Sequence, residues 1–446
     1  MTAMSRFRVM PSLTHSRAAR SIPAARAPSS QLPFRIGAPI GRSMPATLAL
    51  RSDPFAPSAA HRGRASTVSA EGLRIALFSG NYNCVRDGAN RALNNLVGHL
   101  LDRGAAVRVY SPTVKEPAFA PAGDLVSVPS IGIPGRSEYR VAMGLPGSVR
   151  DDVRDFAPTH VHVSCPDFLG TRAQALARAI GTPVVASMHT RFEAYPSYYG
   201  LDFLTPAVRH RLKTFYAGSD LTLAPNPPMA ESLRDLGVAE ERLRIWGRGV
   251  DHEQFSPARR SEDWRREQGF AGDEALVLFF GRLVHEKGLD TFAATIRTLE
   301  ERGRKLRPMV VGDGPARAWF ESQLPGASFT GHLDGEALGR AVASADILVN
   351  PSTTEAFGNV NLEAMAAGLA VVSADVGSAR ALIAHGRSGL LVPPEDAAAY
   401  ADAVETLIGS PRRRRALGLA ALATSAAYRW SDILDGVILA YRSVGF

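Results

Sequence analysis

Residues 351–368 read PSTTEAFGNVNLEAMAAG and directly follow the apolar segment Ile347–Asn350. A short apolar run, a polar turn and a helical segment, in this order, are typical of a buried parallel strand that continues into a crossover helix. In open parallel sheets, ligands bind at the turns that follow the carboxyl ends of the strands. The segment therefore predicts an α/β fold and the edge of the sheet at which a site is expected.

Two carboxylates flank the predicted start of this helix. Glu355 precedes the helix, and Glu363 lies about two turns further along the chain. The backbone N–H groups of Phe357, Gly358 and Asn359 open the helix without intrahelical partners, so they favour an anion. The arrangement suits a ligand that is part polyol and part phosphate, such as a nucleotide sugar. In the alternative interpretation, Glu355 is a loop charge and Glu363 is a solvated helix residue.

A second strand end favours the ligand interpretation. Arg282 and Lys287 follow the predicted strand Ala275–Phe280, where a parallel sheet presents its ligand-binding groups. A planar guanidinium and a compact ammonium together could clamp a diphosphate.

Short apolar runs alternate with helical segments in two series along the chain. The predicted strands are 74–79, 107–110, 160–163 and 184–188 in the first series, and 275–280, 309–311, 347–350, 370–373 and 390–392 in the second. Two parallel sheets of this kind predict two Rossmann-like domains. Residues 251–273 between them contain Pro257 and a run of charges, which is typical of a hinge region.

Seven motifs, in this order along the chain, resemble those of the retaining glycosyltransferases of family 4, which have the two-domain GT-B fold. They are VHVSCPDFLG (161–170), SMHTRFEAYPSYYG (187–200), IWGRGVDHEQF (245–255), GRLVHEKG (281–288), VVGDGP (310–315), TEAFGNVNLEAMAAG (354–368) and GRSGLLVPPED (386–396). The resemblance covers roughly residues 71–446. It implies an N-terminal acceptor-side domain at 71–256, a nucleotide-sugar-binding domain at 257–424, and a final helix at 425–446 that crosses back to the first domain.

The implied activity is transfer of a hexose from a nucleoside-diphosphate sugar, GDP-mannose or a UDP-hexose, to a hydroxyl group with retention of configuration. Arg282 and Lys287 would stabilise the leaving diphosphate, Glu355 would hold hydroxyls of the donor sugar, and Glu363 would hold the ribose. No cofactor is expected. No metal ion is expected either, since the chain has no Asp-x-Asp pair and the cations and helix amides can offset the diphosphate charge.

His189 ends the predicted strand Val184–Met188, which places its imidazole at the ligand edge of the first sheet. The resemblance implies that this histidine faces the donor sugar, and a general-base role is not expected for a retaining enzyme of this fold. The alternative is a structural histidine. Tyr195, Tyr198 and Tyr199 follow as an aromatic cluster that either stacks against an acceptor or belongs to the core.

Gly88 follows Asp87 at the start of the first predicted helix, where it either lets the backbone approach the donor closely or forms a plain tight turn. A dehydrogenase would need a complete G-x-G-x-x-G after the first strand, and residues 79–83 do not provide it. Other GT-B enzymes, such as a sugar epimerase or a phosphorylase, remain the nearest alternative. A non-catalytic glycan-binding module is disfavoured by the intact set of phosphate and sugar ligands.

The net charge of +8 does not indicate a nucleic-acid partner. Residues 1–70 contain ten arginines, no lysine and one acid, Asp53, so the remainder of the chain carries a net charge of about −1. This segment is rich in Ala, Ser and Pro and is predicted to be a disordered basic extension. Two cysteines define neither a disulfide framework nor a metal site, which fits a reducing cytoplasm.

Residues 203–217, FLTPAVRHRLKTFYA, predict a helix with an apolar stripe and several cations. Most such stripes pack onto a sheet, and the alternative is an interfacial helix that meets anionic lipid. The resemblance is closest to members that act on lipids, so the acceptor is expected to be a membrane glycolipid or diacylglycerol at the inner face of the membrane. A transferase for a soluble saccharide is the alternative.

Overall fold

The computed structural model describes residues 68–445 except 86, 134–135, 193–199, 271 and 273. Most of the basic extension, residues 1–67, and the cluster of Tyr195, Tyr198 and Tyr199 lie outside the described residues. In the described part, the chain forms two parallel sheets flanked by helices, together with a short antiparallel hairpin. The predicted α/β fold with two Rossmann-like halves is confirmed.

The first half is built on a parallel sheet. Its seven described strands lie in the order β3-β2-β1-β6-β7-β8-β9. They are β1 (Arg74–Phe78), β2 (Ala106–Ser111), β3 (Asp124–Ser127), β6 (His160–Val163), β7 (Val184–Ser187), β8 (Leu221–Ala224) and β9 (Leu243–Ile245). Helices cover both faces of the sheet, so its central strands are continuous apolar runs. The sequence located β1, β2, β6 and β7 and missed the other three.

The helices of this half are α1 (Gly88–Asp102), α2 (Gly147–Phe156), α3 (Phe168–Ala179), α4 (Thr205–Ala217) and α5 (Pro227–Asp235). Polar side chains cap the starts of three of them, α1, α3 and α5. Asp87 accepts a hydrogen bond from the N–H of Asn90 at 2.7 Å and so caps α1, and Asn226 caps α5 in the same way. Each cap satisfies an N–H group that the helix leaves without a partner. The other two helices, α2 and α4, begin without a side-chain cap.

The helix predicted at 203–217 begins at Thr205, after a short 3-10 turn at Asp202–Leu204. Leu212 and Phe215 of its stripe are buried in the core of the first half. The apolar stripe therefore packs mainly onto the sheet. Only Phe203 and Leu204, which precede the helix, are exposed large apolar residues of this segment.

The hairpin of β4 (Ser130–Ile133) and β5 (Arg136–Ala142), which the sequence did not predict, lies beside the turn that follows β1. Asn81 in that turn donates to the carbonyl of Arg140 at 3.1 Å and accepts from its N–H at 2.8 Å. These two hydrogen bonds anchor the hairpin next to the carboxyl edge of the first sheet.

The second half contains a parallel sheet with six described strands in the order β12-β11-β10-β13-β14-β15. They are β10 (Ala275–Phe280), β11 (Leu306–Val311), β12 (Ser328–Gly331), β13 (Ile347–Asn350), β14 (Ala370–Ala374) and β15 (Leu390–Val392). Its helices are α6 (Glu262–Glu267), α7 (Leu289–Glu301), α8 (Arg317–Gln323), α9 (Gly335–Ala343), α10 (Asn359–Ala366), α11 (Gly377–Arg380), α12 (Ala397–Gly409) and α13 (Pro411–Ser425). The sequence missed β12 in this sheet.

The last helix, α14 (Trp430–Arg442), packs against the first half. Leu434, Ile438 and Tyr441 belong to the same apolar core as residues of β1 and α1. Asp435 accepts a hydrogen bond from His99 of α1 at 2.7 Å. Among the described helices, none is both long and apolar enough to cross a lipid bilayer.

Candidate active site between the two halves

The strand order reverses at one point in each sheet. In the first sheet β1 pairs with β2 on one side and with β6 on the other, and in the second sheet β10 pairs with β11 and β13. Crossover helices leave in opposite directions at such a point, so a crevice opens beyond the carboxyl ends of the strands. The residues singled out by the sequence follow β7, β10 and β13, at the carboxyl edges of the two sheets.

Lys287 and Glu355 form an ion pair at 2.7 Å, with side-chain exposures of 26% and 20%. They come from the loops after β10 and β13, which are also joined by a hydrogen bond from Thr354 to the carbonyl of Glu286. The structure therefore brings together two residues that the sequence assigned to one site. In this arrangement the ammonium and the carboxylate neutralise each other.

Arg282, the other predicted cation, donates to the hydroxyl of Tyr139 at 3.2 Å. Tyr139 belongs to the hairpin strand β5, so this hydrogen bond joins the two halves. No local pattern indicated Tyr139, since its partner Arg282 lies 143 residues further along the chain.

The start of α10 lies against the first half. Gly358 precedes the helix with φ of 96°, a left-handed conformation that favours glycine. A Cβ atom placed on Gly88 would lie 2.5 Å from Asn359 Nδ2, so the side chain of the first residue of α10 lies directly against Gly88. Asn226 of the first half donates to the carbonyl of Ala356 at 2.7 Å. The predicted anion-binding helix start thus lies between the beginnings of α1 and α5.

Glu363 lies on α10 and pairs with Arg91 of α1 at 3.5 Å. Burial raises the pKa of Glu363 to about 7, the Arg91 guanidinium opposes this shift, and the Glu355 carboxylate adds to it. The carboxyl group predicted to hold the ribose is therefore close to half-ionised at neutral pH.

His189 follows β7 and uses both ring nitrogens in hydrogen bonds. Its Nε2 lies 2.8 Å from the hydroxyl of Ser187, and its Nδ1 accepts from Nη2 of Arg248 at 2.7 Å. Burial, then the positive charge of Arg248 and the neighbouring His162, hold the pKa of His189 well below its ordinary value. The imidazole is therefore neutral near pH 7.

A cavity of about 170 Å³ lies beside Glu355, between the loops of the two halves. It is lined by side chains from both halves: Arg191, Asn226, Pro228, Met229 and Ser232 from the first, and Thr353, Glu355, Ala356, Val376 and Ser378 from the second. Six of these ten side chains are polar, and such groups can orient a ligand that bears hydroxyls.

Two family models match the two halves of the chain. A model described as Glycosyltransferase Family 4 matches residues 86–254, and one described as Glycosyl transferases group 1 matches residues 274–410. The GDP-mannose-dependent alpha-mannosyltransferase of Mycolicibacterium smegmatis is 31% identical over 379 residues, which are 83% of this chain and 98% of that protein. The chain belongs to glycosyltransferase family 4. The expected transfer of a sugar from a nucleotide sugar is therefore confirmed.

Another relative of this glycosyltransferase is the sulfoquinovosyl transferase SQD2 of Arabidopsis thaliana, 30% identical over 366 residues, which are 80% of this chain and 71% of that protein. Among solved structures, sucrose-phosphate synthase from Thermosynechococcus elongatus superposes with a TM-score of 0.69 at 21% identity and covers 83% of this chain and 99% of that one. HepE from Anabaena, solved with UDP and glucose, gives a TM-score of 0.64 at 17% identity and covers 83% and 100%. These structures support the GT-B fold.

In the glycosyltransferase, three residues that the sequence did not single out contact predicted site residues. Tyr139, Arg91 and Arg248 each contact a predicted site residue from an element distant in sequence. Of the three, only Arg248 lies within a motif that carried the resemblance, IWGRGVDHEQF, and so had a sequence signal.

Proposed function

We propose that the diphosphate of a nucleoside-diphosphate hexose binds between Arg282, Lys287 and the start of α10. Arg282 and Lys287 come from the loop after β10, and the helix start supplies N–H groups and the positive end of its dipole. Negative charge develops on the leaving diphosphate, and preorganised donors lower the barrier by stabilising that charge. Glu355 is proposed to hold hydroxyls of the hexose, and Glu363 the ribose.

The transfer is proposed to take place on one face of the sugar. The bond between the anomeric carbon and the diphosphate oxygen breaks, and the acceptor oxygen attacks the same face. The acceptor's proton passes to the departing phosphate oxygen, so no separate general base is needed. His189 does not serve as that base, since both its ring nitrogens are hydrogen-bonded within the protein.

The observation that carries this proposal is the convergence of Arg282, Lys287 and Glu355 with the start of α10 at one crevice. Replacing Arg282 by Ala is expected to lower turnover by about two orders of magnitude or more, as loss of one preorganised donor does elsewhere. The matched control is Arg297→Ala, which removes an exposed arginine of α7. Near-normal turnover of R282A would contradict the proposed donor site.

The base and the hexose of the donor can be identified by thermal shift against a panel of nucleotide sugars. The relatives named above point to GDP-mannose and to UDP-linked sugars as first candidates. A donor at 100 times its dissociation constant stabilises the fold by about 2.7 kcal/mol, a shift that is readily measured. A glycosyltransferase releases one nucleoside diphosphate for each acceptor molecule that it glycosylates, whereas a GT-B epimerase or phosphorylase does not. The ratio of released nucleoside diphosphate to glycosylated acceptor therefore distinguishes the alternatives.

For the acceptor, we propose a membrane lipid reached through an exposed apolar surface of the first half. Five large apolar side chains form this surface: Ile131, Val141, Met143, Phe168 and Phe203. The end of the hairpin adjoins α3, since a Cβ placed on Gly144 would lie 3.4 Å from the Phe168 ring. Arg211 of α4 donates to Thr171 of α3 at 3.0 Å, so the segment that carries Phe203 is joined to the same helix.

Basic side chains accompany this surface, as expected for contact with anionic lipid. Arg172 lies over the Phe168 ring at 5.0 Å, and Arg209 and Arg211 are exposed on α4. The apolar side chains would enter the headgroup region while the arginines meet lipid phosphates.

Sedimentation with anionic liposomes, using protein that starts near Ala70, tests the lipid proposal without the arginines of the basic extension. The double variant M143S/F203S removes two side chains that are 60% and 76% exposed and should weaken sedimentation. Leu419→Ser is the matched control, since Leu419 is 62% exposed on α13 of the other half. Equal sedimentation of both variants, or a soluble saccharide as the better acceptor, would refute the lipid surface while the glycosyltransferase assignment stands.

A further inference from the structure

Arg248 carries a positive charge that is buried within the first half. Its side chain follows β9, and the residue is 4% exposed. Its Nη1 donates to the carbonyls of Trp246 and Gly247, both at 3.1 Å, and its Nη2 donates to Nδ1 of His189. Among the described residues, none provides a carboxylate that forms an ion pair with it. Burial lowers the pKa of Arg248 to about 10, so the guanidinium still carries its charge at neutral pH.

Residues near Arg248 contact the start of α10. Its neighbour Gly247 faces the second half, since a Cβ placed there would lie 3.7 Å from the Phe357 ring. Asp87, the carboxylate that stabilises the charged form of Arg248, immediately precedes Gly88, which packs against Asn359. The buried cation therefore lies close to two contacts between the first half and the start of α10, one at Phe357 and one at Asn359.

A chain of hydrogen bonds holds the guanidinium and admits one arrangement of protons. Arginine can only donate, so Nδ1 of His189 must accept and the ring proton lies on Nε2, which donates to Ser187. The Ser187 hydroxyl then donates to Nε2 of His162, and Nδ1–H of His162 donates to the hydroxyl of Tyr441. Burial lowers the pKa of His162 to about 3, so it is neutral, as this order requires.

We infer that Arg248 is the residue of the first half that donates a hydrogen bond to a phosphate oxygen of the nucleotide sugar, and that His189 is the positioning residue that holds its guanidinium. A guanidinium has five N–H groups, and the hydrogen bonds above go to two carbonyls and one imidazole. The Asp87 carboxylate stabilises this charge without forming an ion pair with it. A buried cation that forms no ion pair is costly, and a diphosphate at the adjacent helix start supplies further negative charge. This inference rests on the donor site proposed above.

A double-mutant cycle of R248A and H189A tests the inference, with kcat and KM measured for the donor. Both single variants are expected to lower kcat/KM by more than about tenfold, because each removes or misplaces the same guanidinium. The kcat/KM of the double variant should lie within about twofold of that of R248A, because His189 acts through Arg248. If the two losses instead multiply in the double variant, His189 contacts the substrate independently and the inference is overturned.

Arg248 is buried, so folding is checked by circular dichroism and thermal melting. If R248A does not fold, R248K takes its place in the cycle: lysine keeps the charge but not the fork of donors. R248K should also weaken binding of the nucleoside diphosphate alone, and adding H189A to it should change that affinity by no more than about twofold. Unchanged affinity in R248K would contradict the inference.

Parallel assays of R282A separate the possible failures. If R282A loses activity and Arg248 variants retain it, the phosphate contact of Arg248 is wrong and the proposed donor site stands. If R282A also retains activity, the proposed donor site itself is wrong.

Discussion

The ion pair between Lys287 and Glu355 gives a test of where the diphosphate lies. Their charged atoms are 2.7 Å apart, and both side chains are partly exposed. Replacing Lys287 by Ala removes a cation from the proposed phosphate position and leaves the Glu355 carboxylate without its partner. Glu355→Gln, added to that variant, removes the remaining charge while the side chain keeps its size. The pair of variants therefore separates lost attraction from new repulsion.

The size of each effect follows from Coulomb's law. At a separation of about 5 Å and an effective dielectric constant of about 20, two unit charges interact by about 3 kcal/mol. Both side chains are partly exposed, so solvent screening reduces this to about 1–2 kcal/mol for each effect. Lost attraction and new repulsion together predict that K287A weakens nucleoside-diphosphate binding by roughly a hundredfold, and that K287A/E355Q recovers about tenfold of this.

Isothermal titration calorimetry with GDP and UDP is the appropriate assay. These ligands lack the hexose, so a lost contact between Glu355 and sugar hydroxyls does not enter the measurement. Arg297→Ala serves as the control for removal of a cation elsewhere on the same half. If K287A/E355Q binds the nucleotide more weakly than K287A, no phosphate lies close enough to be repelled by Glu355, and the reasoning fails.

Three further predictions concern the pH dependence of stability, metal ions and the basic extension. The folded state holds the pKa of Glu363 at about 7, above its unfolded value, so folding takes up a proton between about pH 4.5 and 7 and the free energy of unfolding falls as the pH rises through that window. Measured by urea unfolding, the stability of E363Q relative to the native protein should therefore be greater at pH 8 than at pH 5. An equal difference at both pH values would contradict the burial of this charge. Activity should survive EDTA, whereas complete loss that magnesium restores would refute a metal-independent mechanism. Protein that starts near Ala70 should unfold cooperatively and keep its turnover, and insolubility on truncation would show that the extension is part of the fold.

The sequence predicted the parts of the fold that depend on local pattern. β10, β13 and β15 have the predicted bounds, because buried parallel strands are continuous apolar runs between turn residues. Three of the missed strands lack this signal or are very short: β3 and β12 are only partly buried, and β9 has three residues. β8 is buried throughout, but Thr222 interrupts its apolar run. The hairpin of β4 and β5 was missed as well: Ile131 and Ile133 alternate with Ser130 and Gly132, but the run is only four residues long and a glycine inside a strand weakens the signal.

The site was predictable to the extent that its residues follow strands. Arg282, Lys287 and Glu355 could be placed at one sheet edge because the carboxyl ends of neighbouring parallel strands lie together. No comparable rule predicts, from the sequence, which residues of the two halves contact each other. Arg91 pairs with Glu363, and Tyr139 accepts from Arg282, although nothing in the local sequence indicates either partner.

His189 shows where position along a strand is insufficient evidence of a role. Its place after β7 indicated a residue that faces the ligand, and the structure adds that Ser187 and Arg248 engage both of its nitrogens. The same chain of hydrogen bonds continues through His162 to Tyr441 on the last helix, which packs on the first sheet. The last helix therefore contributes to the orientation of Arg248, a contribution that depends on a hydrogen bond between residues 279 positions apart.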